Sequence, residues 1–189
     1  MTLLANTLTL PCGALIPNRI AKAAMTEGLA TPAGLPTPEL ERLYGLWSDG
    51  GAGMLLSGNI QVDRDHLERP GNVIIDSPPS PEMQSALARW AAAATRNGNH
   101  FWAQISHAGR QTQKNINPHP KAPSAVKLGL PGGQFGQPVA LTIDEIEDIR
   151  VGVVFSTQIG TAKGDSDDFC AAGVKRVPHG LIRREFAGA

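Results

Sequence analysis

Three places in the 189-residue chain gather side chains able to hold a ligand: Thr26, the run Ser57-Gly58-Asn59, and Gln104 followed by Ser106-His107-Ala108-Gly109-Arg110-Gln111. Each follows a short apolar run, so each falls where a buried strand gives way to a loop. A glutamine amide donates and accepts at once, a threonine hydroxyl does either, and small residues such as Ala23, Ala24 and Gly58 let a ligand lie close to the backbone. That set suits a flat ring with a hydrogen-bonding edge. Other chemistry finds no support: no Cys or Ser stands beside a plausible base, no carboxylates pair at strand ends, and no His/Glu cluster has metal-ligand spacing. No metal is expected, and no residue is assigned as catalytic.

The elements that must position these groups alternate between short apolar runs and amphipathic helices, the pattern of a parallel sheet with crossover helices. Asn18 to Met25 is a strand candidate ending at Thr26. Thr37 then caps a helix opened by Pro38, with Leu40, Leu43, Leu46 and Trp47 at helical spacing and a stop at Gly50-Gly51. Gly53 to Gly58 reads as a fully buried strand. The second unit repeats this order: Ser80 caps, Pro81 opens, Met83, Ala86, Leu87, Trp90 and Ala94 form the stripe, and Asn97-Gly98 supplies a left-handed stop. His100 to Ile105 is the third strand. Thr112 to Pro138 is a long Pro- and Gly-rich loop of the kind that is either functional or disordered, and Thr142-Ile143-Asp144-Glu145 is a capping box. Trp47, Trp90 and Trp102 are read as core residues.

Composition excludes further classes. With 17 basic and 17 acidic side chains there is no excess charge to gather nucleic acid, and no apolar stretch approaches the roughly 20 residues needed to span a membrane. The first ten residues lack a secretory pattern, which together with two thiols, Cys12 and Cys170, expected to be free, points to a cytoplasmic protein. The Gly-rich stretch Gly129 to Gly136 has no strand before it and no helix directly after it, so it is not read as a nucleotide loop.

Taken together, Asn18-Arg19, the run Ala21-Lys22-Ala23-Ala24-Met25-Thr26, Gln104 three residues before His107-Ala108-Gly109-Arg110-Gln111, Ala122-Pro123-Ser124, and Leu141 to Ile146 resemble, in order, the NADH:flavin oxidoreductase or Old Yellow Enzyme family. The resemblance covers residues 3 to 149. It implies an α/β fold, the N-terminal part of a TIM (β/α)8 barrel, and FMN as cofactor with NADH or NADPH as reductant. It also implies hydride transfer to an activated alkene. By the same resemblance Ala23, Ala24 and Met25 back the flavin ring, Thr26 lies near its carbonyl, Gly58 gives a backbone contact and Gln104 holds the pyrimidine edge. Ser106 lines the substrate pocket, while His107 and Arg110 brace the strand end. Taken alone, Thr26 is equally readable as a turn hydroxyl and Gln104 as a strand-end cap.

The resemblance is not visible beyond Ile149, where the family continues to a His pair that grips the substrate carbonyl and a Tyr proton donor; His179 stands alone, and the only Tyr, Tyr44, falls on a helix. Residues 1–149 therefore read as half a barrel, and 150–189 as an atypical tail, frameshifted or disordered. The competing expectation is a truncated, non-catalytic fragment that pairs with a second copy as a homo-oligomer, since half a barrel leaves sheet edges uncovered.

Overall fold

Thr37 and Ser80 start the two long helices by the same device. Each side-chain oxygen accepts from the main-chain N–H three residues on, Leu40 at 3.4 Å and Met83 at 3.1 Å, and each is followed by a proline whose missing N–H the first turn does not need. The helices are α1 (Pro38–Asp49) and α2 (Pro81–Ala94). A computed structural model describes residues 3–150; the tail beyond, including the strand-like run expected over Val151 to Phe155, lies outside the described residues.

An antiparallel hairpin, β1 (Leu8–Thr9) and β2 (Leu15–Ile16), precedes the sheet. The sheet itself is parallel: β3 (Ala21–Lys22), β4 (Met54–Gln61), β5 (Val73–Ile74) and β6 (His100–Ser106). β3 and β6 flank the start of β4, with Met54 opposite Ala21 and His100, and β5 joins the end of β4 on the β3 side. Two strand-helix-strand crossovers, through α1 and α2, account for the parallel order. A short parallel pair, β7 (Lys121–Ala122) and β8 (Val139–Ala140), organises the long loop that follows β6. Beyond it the Thr142–Glu145 capping box forms in both directions, Glu145 N–H to Thr142 Oγ1 at 3.3 Å and Thr142 N–H to Glu145 Oε2 at 2.8 Å.

The helices pack on one face of the sheet. Tyr44, fully buried, meets Trp90, Trp47 and Phe101 edge-on at 5.2, 4.9 and 5.1 Å, with Leu40, Leu55 and Ile60 filling in. The buried stripe of α1 is Leu40, Tyr44 and Ser48, not the expected run through Leu46, which is 57% exposed. Spacing of four keeps residues on one helix face, and Leu46 falls off it. Trp102 sits on the opposite sheet face, by alternation with Phe101, outside this core.

Two strands differ from expectation. β3 is shorter than Asn18 to Met25 because the N–H of Gly58, which would extend the ladder, donates instead to Tyr44 Oη at 3.0 Å and Glu27 Oε1 at 3.1 Å. β4 runs on past Gly58 to Gln61 through a bulge: Leu56 lies opposite Trp102, and the next pair is Asn59 opposite Gln104, so β4 spends one extra residue. The hairpin closes the strand-start end, where His100 Nε2 lies 2.8 Å from Leu15 O and Gly53 N–H donates to Asn18 Oδ1 at 2.9 Å. The functional candidates lie at the other end. Among the described residues there is no free cysteine, which corrects the expected free thiol at Cys12; Cys170 lies outside them. No described helix is long and apolar enough to cross a membrane.

Candidate functional site at the strand ends

Parallel strands deliver their C-terminal ends to one edge, and the structure gathers Thr26, Asn59 and Gln104 there. Gln104 Nε2 donates to Asn59 Oδ1 at 2.6 Å, and Asn59 Nδ2 donates to Thr26 Oγ1 at 3.2 Å, a hydrogen-bonded row across three consecutive segments of the sheet. The main chain beneath is pinned: Gln104 N–H donates to the buried Ser57 hydroxyl at 2.8 Å, which in turn donates to Gly58 O at 2.7 Å. Asn59 stood in the strand-end run read from the sequence but was given no role; the signal was Gly58, since a glycine inside a strand marks a bulge that re-aims the residue after it.

The other expected positions are placed as follows. Ala23 and Met25 are exposed at the end of β3, with Ala24 half-buried between them, and Gln104 presents its amide to the open side. Ser106 ends β6 opposite Gln61. Gln61 is fully buried on the same face as Asn59, and neither atom of its amide has a partner among the described residues. Gly58 offers no N–H, because Tyr44 and Glu27 take it. Its importance is steric: a Cβ there would lie 2.5 Å from Met25 O and closer still to Glu27. The backbone contact expected of Gly58 is therefore not available through its amide.

Behind the row lies a charged group that sequence reasoning missed. Tyr44 donates to Glu27, and Lys22 Nζ donates to Leu56 O at 2.7 Å while sitting over the Trp47 ring at 4.4 Å. Burial lowers the Lys22 pKa, opposed by the Glu27 charge; burial, followed by the Glu27 hydrogen bond, raises the Tyr44 phenol above its ordinary range. Tyr44 therefore stays protonated and serves as a donor to Glu27.

Asp63, His66 and His107 form a second cluster. Their ligating atoms lie within 4.8 Å of one another, a convergence that the spacing of the sequence hid and that amends the reading of no metal-type cluster. The protons are already placed. Lys121 N–H donates to His66 Nε2 at 2.8 Å, which leaves the His66 proton on Nδ1, 2.8 Å from Asp63 Oδ2. Gly109 N–H donates to His107 Nδ1 at 3.2 Å, leaving the His107 proton on Nε2, 3.7 Å from Asp63 and beyond hydrogen-bond reach. A metal at His66 Nδ1 would have to displace that proton and break the Lys121 bond, so the arrangement is a latch between β4 and the loop after β6. Burial alone would raise the Asp63 pKa; the imidazoles of His107 and His66 and the Asp65 N–H outweigh it and hold the carboxyl below its usual range. The two rings stack at 4.5 Å. Arg110 is exposed and has no hydrogen bond or ion pair among the described residues, so the bracing expected of it is not found. Beside Thr26 and Asn59 opens a polar cavity of about 300 Å³, walled also by Glu68, Arg69, Gln111, Gln113, Gln134 and Phe135.

No protein-family model matches the chain. Individual relatives do. The NADH-dependent flavin oxidoreductase nadA of Aspergillus parasiticus is 35% identical over 90% of this chain and 40% of its own length. The NADH-dependent flavin oxidoreductase iliE of Hypocrea jecorina is 30% identical over 95% of this chain and 47% of its own. This chain is similar to NADH-dependent flavin oxidoreductases along nearly its whole length. It spans less than half the length of these two relatives. A 95% match is more than residues 3 to 149 can supply, so the family likeness continues past Ile149, where the sequence reading saw it stop. Among solved structures, the old yellow enzyme homologue from Zymomonas mobilis superimposes with a TM-score of 0.67 at 24% identity, over 84% of this chain and 46% of that one. Morphinone reductase does so with a TM-score of 0.65 at 23% identity, over 83% and 45%. The fold of this chain is thus that of about half of their barrel.

Proposed function

We propose that this chain contributes the strand-end wall of an FMN site in an NADH- or NADPH-dependent oxidoreductase that reduces an activated alkene. The observation that carries the reading is the row Thr26, Asn59 and Gln104 at the C-terminal edge of a parallel sheet. The donor set fits a flavin: a hydroxyl and an amide with free donors and acceptors along one edge, and uncovered Ala23 and Met25 beside them for the ring. FMN, when bound, supplies the hydride chemistry. Gln104 would hold the pyrimidine edge, Thr26 would donate to a ring carbonyl, and Ala23, Ala24 and Met25 would back the ring. Gly58 would keep the β4 backbone close, and the small Ser106 would leave room for substrate. His107, stacked on the His66 ring, would steady the end of β6.

The test is titration of the purified chain with FMN, followed by desalting, a visible spectrum and size exclusion. Flavin bands that stay with the protein support the reading, and a colourless protein at every concentration overturns it. A second reading, a non-catalytic piece that completes itself with another copy, is favoured by one observation: among the described residues β6 pairs only with β4, leaving its outer edge open. A colourless dimer would support that reading.

A further inference from the structure

In a row of amides and hydroxyls, the direction of each hydrogen bond is decided by what its neighbour already does. Thr26 Oγ1 accepts from Asn59 Nδ2, so its proton is left to donate elsewhere, and no group among the described residues takes it. Gln104 gives one Nε2 proton to Asn59 Oδ1 and keeps the other proton and its Oε1. The opposite direction, with Thr26 donating to Asn59 and Asn59 donating to Gln104, would leave Thr26 able only to accept. Asn59 thus stands at the one position that decides whether Thr26 donates or accepts. The Ser57 and Gly58 bonds hold the strands at the spacing that the row requires, and Thr26 and Asn59 share the wall of the polar cavity.

We propose that Asn59 is a positioning residue that makes Thr26 a hydrogen-bond donor and presents Gln104 as a paired donor and acceptor, so that the site selects a ring with a carbonyl oxygen at Thr26 and an N–H beside a carbonyl at Gln104. The ligand rests on the flavin reading above; the row itself rests on the structure alone. Replacing Asn59 releases Thr26 to turn its hydroxyl and Gln104 to turn its amide.

The test has two parts. In the flavin-free, ¹⁵N-labelled chain, Asn59→Ala should move the Gln104 side-chain amide resonances; unmoved resonances overturn the row whether or not FMN binds. In FMN titrations, Asn59→Ala and Thr26→Val should each weaken binding about five-fold, the worth of one neutral hydrogen bond. Their combination should fall short of the product, because both act on one donor. Both variants should also shift the visible maxima of bound flavin in the same direction, which a role in stability alone would not do. Fully multiplicative losses, or an unshifted spectrum in Asn59→Ala, overturn the positioning role. Failure of the wild-type chain to bind FMN would remove the flavin reading and leave the amide resonances to decide the row. Asn59 is half-exposed, so these substitutions leave the core intact.

Discussion

The two faces of the sheet are built on opposite terms. On the helix side the aromatic rings of Tyr44, Trp47, Trp90 and Phe101 close against one another, and polar groups other than the Trp90 indole N–H are tied off within the layer, Tyr44 to Glu27 and Gly58, Ser48 to Asn99 at 2.5 Å. On the other face, at the strand ends, Thr26, Asn59 and Gln104 bond to each other yet keep donors and acceptors facing outward. One face is finished by the protein and the other is arranged for something else. Stability and binding are therefore expected to separate by face, and substitutions can test that separation.

The largest effect should come from the helix side. Trp90→Ala removes the ring at the centre of the cluster and should cost about 3–5 kcal/mol in urea unfolding. A loss under about 1 kcal/mol would mean that the aromatic layer does not hold the fold together. Next is Tyr44→Phe, which keeps the packing but leaves Glu27 without its hydroxyl donor in a half-buried setting; about 1–3 kcal/mol is expected by the same measurement. Gln104→Ala should invert the pattern, with unfolding changed by under about 0.5 kcal/mol while FMN binding weakens about five- to ten-fold in a fluorescence titration. A stability loss as large as that of Tyr44→Phe would break the distinction between the faces.

The smallest effect concerns the loop end. Lys121, first, and then Thr142 hold the Glu145 carboxyl down to about 2, from an ordinary 4.5. A carboxyl depressed on folding adds stability that is full above its unfolded value and is lost as pH falls through its folded one. The capping box should therefore persist below pH 4.5 and give way near pH 2, as read by the Glu145 side-chain carbon shift in NMR. A midpoint near 4.5 would dissolve the Lys121 pair. Asp63 has the same sign, and its latch should likewise outlast the ordinary carboxylate range on acidification.

Much of the fold was legible because its signals are local. Thr37-Pro38 and Ser80-Pro81 announce helix starts within two residues, whereas α2 ends at Ala94 with Thr95 as its cap, ahead of the expected stop; Gly98, with φ of 76°, shapes the turn that follows. The Thr142 box is a four-residue pattern and forms as read. What escaped depends on contacts between distant segments. Leu46 and Tyr44 lie on different faces of α1, and only the sheet packed against α1 decides that the face of Tyr44 is the buried one. Asp63 and His66 gain their meaning from His107 and Lys121, which arrive from the far side of α2. At the site, Thr26 and Gln104 were legible as strand-end polar groups, whereas the bond between them runs through Asn59, whose direction depends on a register no periodicity reveals.

The extra residue in β4 has a consequence that reaches past local geometry. Side chains alternate along a strand, so one inserted residue changes the parity of everything after it. Leu56 and Asn59 face the same way although three positions separate them, as Leu56 pairs with Trp102 and Asn59 with Gln104. Without the bulge, Asn59 and Gln61 would turn toward the aromatic layer and Ile60 would turn toward the ligand. Ser57-Gly58 thus resets the alternation, keeping Ile60 with Leu55 on the oily side while Asn59 and Gln61 face the amide side. Deleting one residue there would exchange the two roles in a single step, so this strand should tolerate substitutions along its length far better than any change in its count.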